Sequence, residues 1–159
     1  MAKMKWEGLE EYENQLLKVQ ELSRTAIGEA IYYGAKEIAD AVKQNINALP
    51  VDNRTRIKEG LLNGVSDRQK QGLIESFGIA KLQNDGGYVH VKLGFDGYND
   101  VRTEKFPNGQ PNSMIARSVN SGTSFRRQIP FVDNAVAQHK AAAEEKMKEQ
   151  FDKVLSKAL

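Results

Sequence analysis

The chain has 159 residues, 40% of them hydrophobic and 28% charged, with 23 Lys+Arg against 21 Asp+Glu and no cysteine. That length suits one domain with one ordinary core, and the missing cysteines exclude a disulfide framework, a thiolate zinc site and a Cys nucleophile. A formal charge of +2 is too balanced for a dedicated nucleic-acid binder, and with aromatics at 8% stacking platforms are scarce.

Met1-Ala2-Lys3-Met4-Lys5-Trp6-Glu7 has no apolar signal core, and no run approaches the roughly 18 apolar residues that cross a bilayer. A soluble chain made in a cytoplasm is expected. From Leu9 to Leu49, apolar or small residues recur at Tyr12, Leu16, Val19, Ser23, Ile27, Ile31, Gly34, Ile38, Val42, Ile46 and Leu49, always three or four apart. That is one helical face, and Pro50 stops it. Unbroken, this helix would run about 60 Å, so it either bends near Ser23 or Gly28 or leans on neighbouring subunits. Ala26, Ala30 and Gly34, with Ala35 and Ala39 beside them, form a small-residue strip. It admits either another backbone or the chain's own sheet.

Between Val51 and Val65 the sequence is polar, with a turn or two of helix expected around Arg56 to Gly64. Ser66 or Asp67 caps a short helix through Gln71, Ile74 and Phe77, ended by Gly78. Ile79 to Leu82 and Tyr88 to Leu93 then read as strands joined through Asn84-Asp85-Gly86-Gly87, whose glycines supply positive φ. Val89, Val91 and Leu93 are expected inside, Tyr88, His90 and Lys92 outside.

Gly94 to Asn112 is rich in Gly, Asn, Asp and Pro and exceeds the roughly 12–15 residues at which structureless loops become uncommon. Part of it reads as a third strand, about Asp100 to Phe106, and part as an arm that orders against a partner. Asn112 or Ser113 caps a helix to Ser121, closed by Gly122. After Pro130 a final helix runs to about Leu159. Its stripe is Val132, Ala135, Val136, Ala143, Met147, Phe151, Val154 and Leu155, with Glu144–Lys148 and Glu149–Lys153 spaced as outer ion pairs. The expected fold is α+β in a single domain, residues 1–159: a long helix (1–49), a linker and short helix (50–77), a hairpin and extended arm (78–112), and a short helix, turn and C-terminal helix (113–159). The helices pack on a small antiparallel sheet.

No catalytic constellation is visible, and nothing in the sequence asks for a cofactor or metal. His90 and His139 read as surface imidazoles without a carboxylate at ligand spacing. Asp96-Gly97-Tyr98-Asn99-Asp100 lacks the fixed glycine and terminal glutamate of a calcium loop and reads as a polar turn. Gly86-Gly87 and Gly94-x-x-Gly97 precede no Gly-Lys-Ser/Thr, and Ser121 and Ser124 lie in no nucleophile elbow.

Arg117, Arg126 and Arg127, with Arg102, Lys105 and Phe106 upstream, make the region around Gly122 locally positive. The sequence favours a subunit interface here over DNA phosphates. Replacing Arg126 and Arg127 together by Glu is expected to leave the subunit folded and to impair assembly.

The run Met114-Ile115-Ala116-Arg117-Ser118-Val119-Asn120-Ser121-Gly122-Thr123-Ser124, followed by Gln128-Ile129-Pro130-Phe131-Val132-Asp133-Asn134-Ala135, resembles the tail-component or tail-completion family of tailed phages, typified by gene product ten of phage HK-ninety-seven. In that family a short helix ends in a Gly-Thr-Ser turn, and Pro-Phe opens a long C-terminal helix. The matching positions are Gly122, Thr123, Ser124, Pro130, Phe131, Val132 and Ala135. The steps from Ala35 to Val42 fit the family's N-terminal helix in outline. Gln128-Ile129 replace a basic residue and Ala, and Gly94 to Asn112 has no counterpart.

The resemblance implies structural work in the virion rather than catalysis. Such proteins form a ring, usually of six subunits, that caps the tail tube and joins it to the head connector, and are assembled in the bacterial host cytoplasm. The partners implied are further copies of the chain, the tail-tube protein and the head-connector or head-closure protein. DNA would pass through a near-neutral lumen without specific binding. A head-closure or adaptor protein of the same particle is the nearest alternative, and a small DNA-binding regulator a more distant one.

Overall fold

A computed structural model of the protein describes residues 9–54 and 60–158. The fold is α+β. Helix α1 (Leu9–Ala48) is followed by α2 (Asp67–Ser76), four short strands, β1 (Phe77–Ile79), β2 (Gln83–Asp85), β3 (Tyr88–His90) and β4 (Leu93–Phe95), then α3 (Asn112–Ser121) and α4 (Phe131–Ala158). Much of the helical turn expected from Arg56 falls on residues 55–59, outside the described ones. The described part of that stretch, Gly60 to Gly64, holds no helix but a bridge at Leu62.

Helix α1 keeps helical hydrogen bonding over 40 residues, about 60 Å, with no break at Ser23 or Gly28. Helix α4 lies antiparallel along it. Asn45 Nδ2 donates to the Phe131 carbonyl at 2.8 Å, and Gln150 Nε2 to Glu29 Oε2 at 2.9 Å. A β-carbon on Gly34 would collide with Met147. Ala26, Ala30 and Gly34 share that face and are buried, so the backbone admitted by the small-residue strip is α4 of the same chain. Ala39 belongs to the central core.

Leu73 of α2, Phe77 of β1, Ile115 and Val119 of α3, and Phe131 and Ala135 of α4 close around Val42 and Ile46 of α1 and Leu49 just after it. Phe95 stands between two of these anchors, its ring 4.9 Å from that of Phe77 and 6.1 Å edge-on from that of Phe131. Along α4, Ala135 and Ala143 are buried, whereas Val136 is 40% exposed and falls outside the stripe expected for it. Among the described residues Glu144–Lys148 and Glu149–Lys153 form no ion pair within 4.0 Å; Lys146 reaches across to Glu37 instead.

The hairpin forms, but in two ladders. Phe77 pairs with Phe95 and Ile79 with Leu93, and Ala80 N–H still donates to the Lys92 carbonyl at 2.8 Å. Gln83 then pairs with His90 and Asp85 with Tyr88. Lys81 and Leu82 therefore face Val91 alone, a β-bulge. The face expected from alternation holds at Val89, Val91 and Leu93, which are half-buried, and at Tyr88 and Lys92, which are exposed. His90 departs from it, its side chain only 19% exposed with the Tyr88 ring 5.3 Å away. Gly86 and Gly87, at φ 63° and 100°, make the tight end as expected, and Leu82 Cδ2 leans on α1 beside Gly28.

Phe77 is the first strand residue rather than the end of α2. Asp100 to Phe106 is not a strand. The arm turns on itself, with Thr103 and Phe106 exchanging backbone hydrogen bonds at 3.1 Å and Asn99 N–H reaching the Gln110 carbonyl at 2.9 Å. Pro111, not Asn112 or Ser113, stands at the α3 N-cap. Asn112 is buried and spends its Nδ2 on the Asp96 carbonyl at 3.0 Å.

Val51 and Val65 form a parallel bridge, and Val65 N–H donates to the Pro50 carbonyl at 3.1 Å. Gly64, at φ 103°, lies against that carbonyl so closely that a β-carbon would strike it. Gly64→Ala should therefore lose at least about 1–3 kcal/mol from backbone strain alone. Urea unfolding followed by circular dichroism measures it; an unshifted midpoint would mean the Pro50–Val65 contact does not hold the loop.

Candidate interface at the Gly122 turn

Helix α3 ends on Gly122 at φ 74° and ψ 163°. This is an extended positive-φ region that only glycine enters cheaply. Gln128 packs directly over it, with backbone atoms 3.2 Å from where a β-carbon would stand. Beyond it, Thr123 N–H donates to the Arg126 carbonyl at 3.0 Å, and Arg126 N–H returns a bond to the Thr123 carbonyl at 3.4 Å. Ser124 and Phe125 form the tip. The Ile129 amide then ties back to the Val119 carbonyl at 2.8 Å, delivering Pro130 and Phe131 to the start of α4.

The segment after the tip is extended and docks beside Leu62. Leu62 N–H donates to the Phe125 carbonyl and Arg127 N–H to the Leu62 carbonyl, both at 2.9 Å. Successive side chains of an extended segment point opposite ways. Phe125 and Arg127 are exposed, so Arg126 between them is driven inward and is only 4% exposed. This corrects the assignment of Arg126 to a subunit interface, and with it the expectation that replacing both arginines by Glu leaves the subunit folded: of two adjacent arginines in such a segment, only one can face water.

Arg126 is a buried cation with poor company. Its Nη2 reaches Gln69 Oε1 at 3.4 Å, while Nε and Nη1 have no hydrogen-bond partner. Burial pulls the guanidinium below its ordinary pKa, and the charge of Asp52 opposes that pull. Gln69 is the joint of the region. It completes a capping box with Ser66 at the start of α2 (Gln69 N–H to Ser66 Oγ 3.2 Å, Ser66 N–H to Gln69 Oε1 3.1 Å), and its Nε2 donates to Gln110 Oε1 of the arm at 2.9 Å. The Ser-x-x-Gln spacing is the one signal in the sequence that marks Gln69; nothing local marks Gln110 or Asp52.

Asp52 organises the loop behind Arg126. Arg54 donates to it through Nε at 2.8 Å and Nη2 at 2.6 Å, and the Asn63 amide at 2.9 Å. The Arg54 hydrogen bond, then the Asn63 amide, hold its carboxyl far below the usual carboxylate range. A carboxylate with a depressed folded pKa contributes stability above its unfolded value, near 3.9, and loses it as pH falls towards the folded value. The urea midpoint of the wild type should therefore exceed that of Asp52→Asn at pH 7, and the gap should narrow steadily below about pH 4. A gap independent of pH would contradict this.

The remaining interface candidates separate into two groups. Arg102 and Lys105 are exposed on the arm, with Lys105 Nζ 5.6 Å from the ring of half-buried Phe106. Arg117, exposed on α3 one turn before Ser121, and Arg127 lie at the Gly122 turn. A shallow groove there is lined by Leu61, Ser121, Thr123, Arg127 and Gln128, with no carboxylate.

The histidines are not free surface imidazoles. His139 Nδ1 stands 3.1 Å from Glu37 Oε1, and His90 Nε2 3.8 Å from Asp85 Oδ2. The first pair lies on the α1–α4 seam, where Lys146 and then His139 hold the Glu37 carboxyl below its ordinary value. Among the described residues no three His, Cys, Asp or Glu side chains are grouped to hold a metal ion. Asn99 acts as the hub of a turn, its Oδ1 accepting from Val101 N–H at 2.9 Å and Gln110 N–H at 3.2 Å. Among the described residues no helix is long and apolar enough to cross a membrane. No protein-family model, curated protein or solved structure matches the chain.

Proposed function

We propose that this chain is a structural virion protein of a long-tailed bacteriophage, a tail-completion or neck subunit whose copies form a ring joining the tail tube to the head connector. The observation that carries the reading is the projecting start of α1. Gln150 lies opposite Glu29, so Ala158, eight residues on, comes level with Glu21, eight residues back. Before Glu21, Tyr12, Leu16, Leu17 and Val19 are 60%, 51%, 60% and 49% exposed. An exposed apolar stripe of this kind marks an interaction surface. The resemblance at Gly122, Thr123, Ser124, Pro130, Phe131, Val132 and Ala135 supplies the identity of the assembly, and the turn and helix start at those residues are compatible with it.

The work is mechanical: rigid helices hold the turn and the arm in place, and contacts between copies set the ring. The test is genetic. Deleting the gene from its phage should leave filled heads and separate tails in electron micrographs of lysates, and supplying the chain in trans should restore joined particles. Normally joined particles from the deletion would refute the reading.

A further inference from the structure

The geometry points to a head-to-tail contact in which the α1 projection of one copy docks on a second copy, in the groove at the Gly122 turn lined by Leu61, Thr123 and Arg127. This deepens the reading of the chain as a self-assembling subunit and rests on it.

The projection continues a seam already in use. Tyr12, Leu16, Val19, Ser23, Ala26 and Ala30 follow steps of four and three, the spacing of a coiled-coil face. The last two are buried on the face that meets α4, while the first three lie beyond its end and are about half exposed or more. The stripe is flanked by acids: over residues 9–21, Glu10, Glu11, Glu13 and Glu21 stand against Lys18 alone, a net −3.

That charge selects the partner surface. Two projections packed on each other about a two-fold axis would bring like charges together, which is unfavourable. The remaining residues carry a net +5, because the whole chain is +2 and the projection −3. The Gly122 turn answers both needs: Leu61 and Phe125 are 43% and 37% exposed, Arg127 lines the groove with Leu61, and exposed Arg117 lies one helical turn before Ser121 of its rim. A chain cannot satisfy itself. The turn leads directly into the start of α4, which meets Asn45 of α1, about 36 Å along the helix from Glu21. Each copy thus offers two different complementary surfaces at opposite ends, the requirement for a heterologous contact that closes into a ring or runs on as a filament.

Charge reversal tests the pairing. One variant carries Glu11→Lys and Glu13→Lys, the other Arg117→Glu and Arg127→Glu; all four residues are exposed, and circular dichroism checks that both variants fold. Sedimentation velocity over a concentration series should show self-association of the wild type, weakened about tenfold or more in each variant alone. An equimolar mixture should recover it, because each junction then joins opposite charges. Either variant associating like the wild type, a mixture that fails to recover, or a wild type that stays monomeric throughout would overturn the contact. Variants that assemble unchanged and still join heads to tails would remove this contact alone. Particles that join without the gene would remove the neck reading while leaving a measured head-to-tail contact standing.

Discussion

Phe131→Ala is expected to cost about 3–5 kcal/mol, the range for deleting a fully buried phenylalanine, and to lower Tm by roughly 6–20 °C. Phe131 is 3% exposed, packs edge-on to Phe95 and lies in one cluster with Ile46, Leu73 and Val119. It is also the first residue of α4, and its carbonyl receives Asn45 Nδ2. Truncation therefore opens a cavity where α1, α4 and the sheet converge, leaving the helix start tied only by its backbone. Phe131→Leu, which refills most of the volume, should recover more than half of the loss. Calorimetry of the three proteins decides it, and a Tm for Phe131→Ala within about 2 °C of the wild type would remove Phe131 from the core.

Arg126→Glu should be comparably damaging, about 3–5 kcal/mol, whereas Arg127→Glu should change stability by no more than about 0.5 kcal/mol. The two neighbours differ because one is buried and the other faces water. A glutamate at 126 would sit near the Asp52 carboxylate with Gln69 Oε1 turned towards it, both electronegative. Arg126→Met tests the other half of the argument. With one 3.4 Å hydrogen bond and two unpartnered nitrogens, the cation recovers little of its desolvation cost, so an apolar isostere should be neutral or stabilising. Urea midpoints separate the cases. If Arg126→Glu unfolds at the wild-type midpoint, the side chain is outside after all.

The helices were legible because three- and four-residue steps and the prolines at 50 and 130 speak locally. The period of α1 from Tyr12 to Leu49 gave no hint, however, of where its cover stops, since that depends on the length of α4 and on antiparallel pairing. The hairpin turn followed from Gly86-Gly87, but the bulge at Lys81 and Leu82 did not, because alternation cannot register one extra residue on one strand. His90 was misplaced because the neighbouring Tyr88 ring, 5.3 Å away, and Asp85 lie against it, contacts that alternation does not encode. Arg126 was misread for a related reason: consecutive basic residues look like a surface patch until the backbone is known to be extended and paired with Leu62. Gln110 and Asn112 act through contacts that the irregular arm makes across the fold, and irregular backbone carries no period from which to infer them.

We propose that the chain works by docking, as part of a ring on the tail tube. The most direct test is to mix the purified protein with purified tail tubes lacking it and sediment the tubes through a density gradient. The protein should travel with the tubes, and electron microscopy should show a ring at one end of each. Tubes that leave the protein at the top of the gradient, with bare ends, would contradict it.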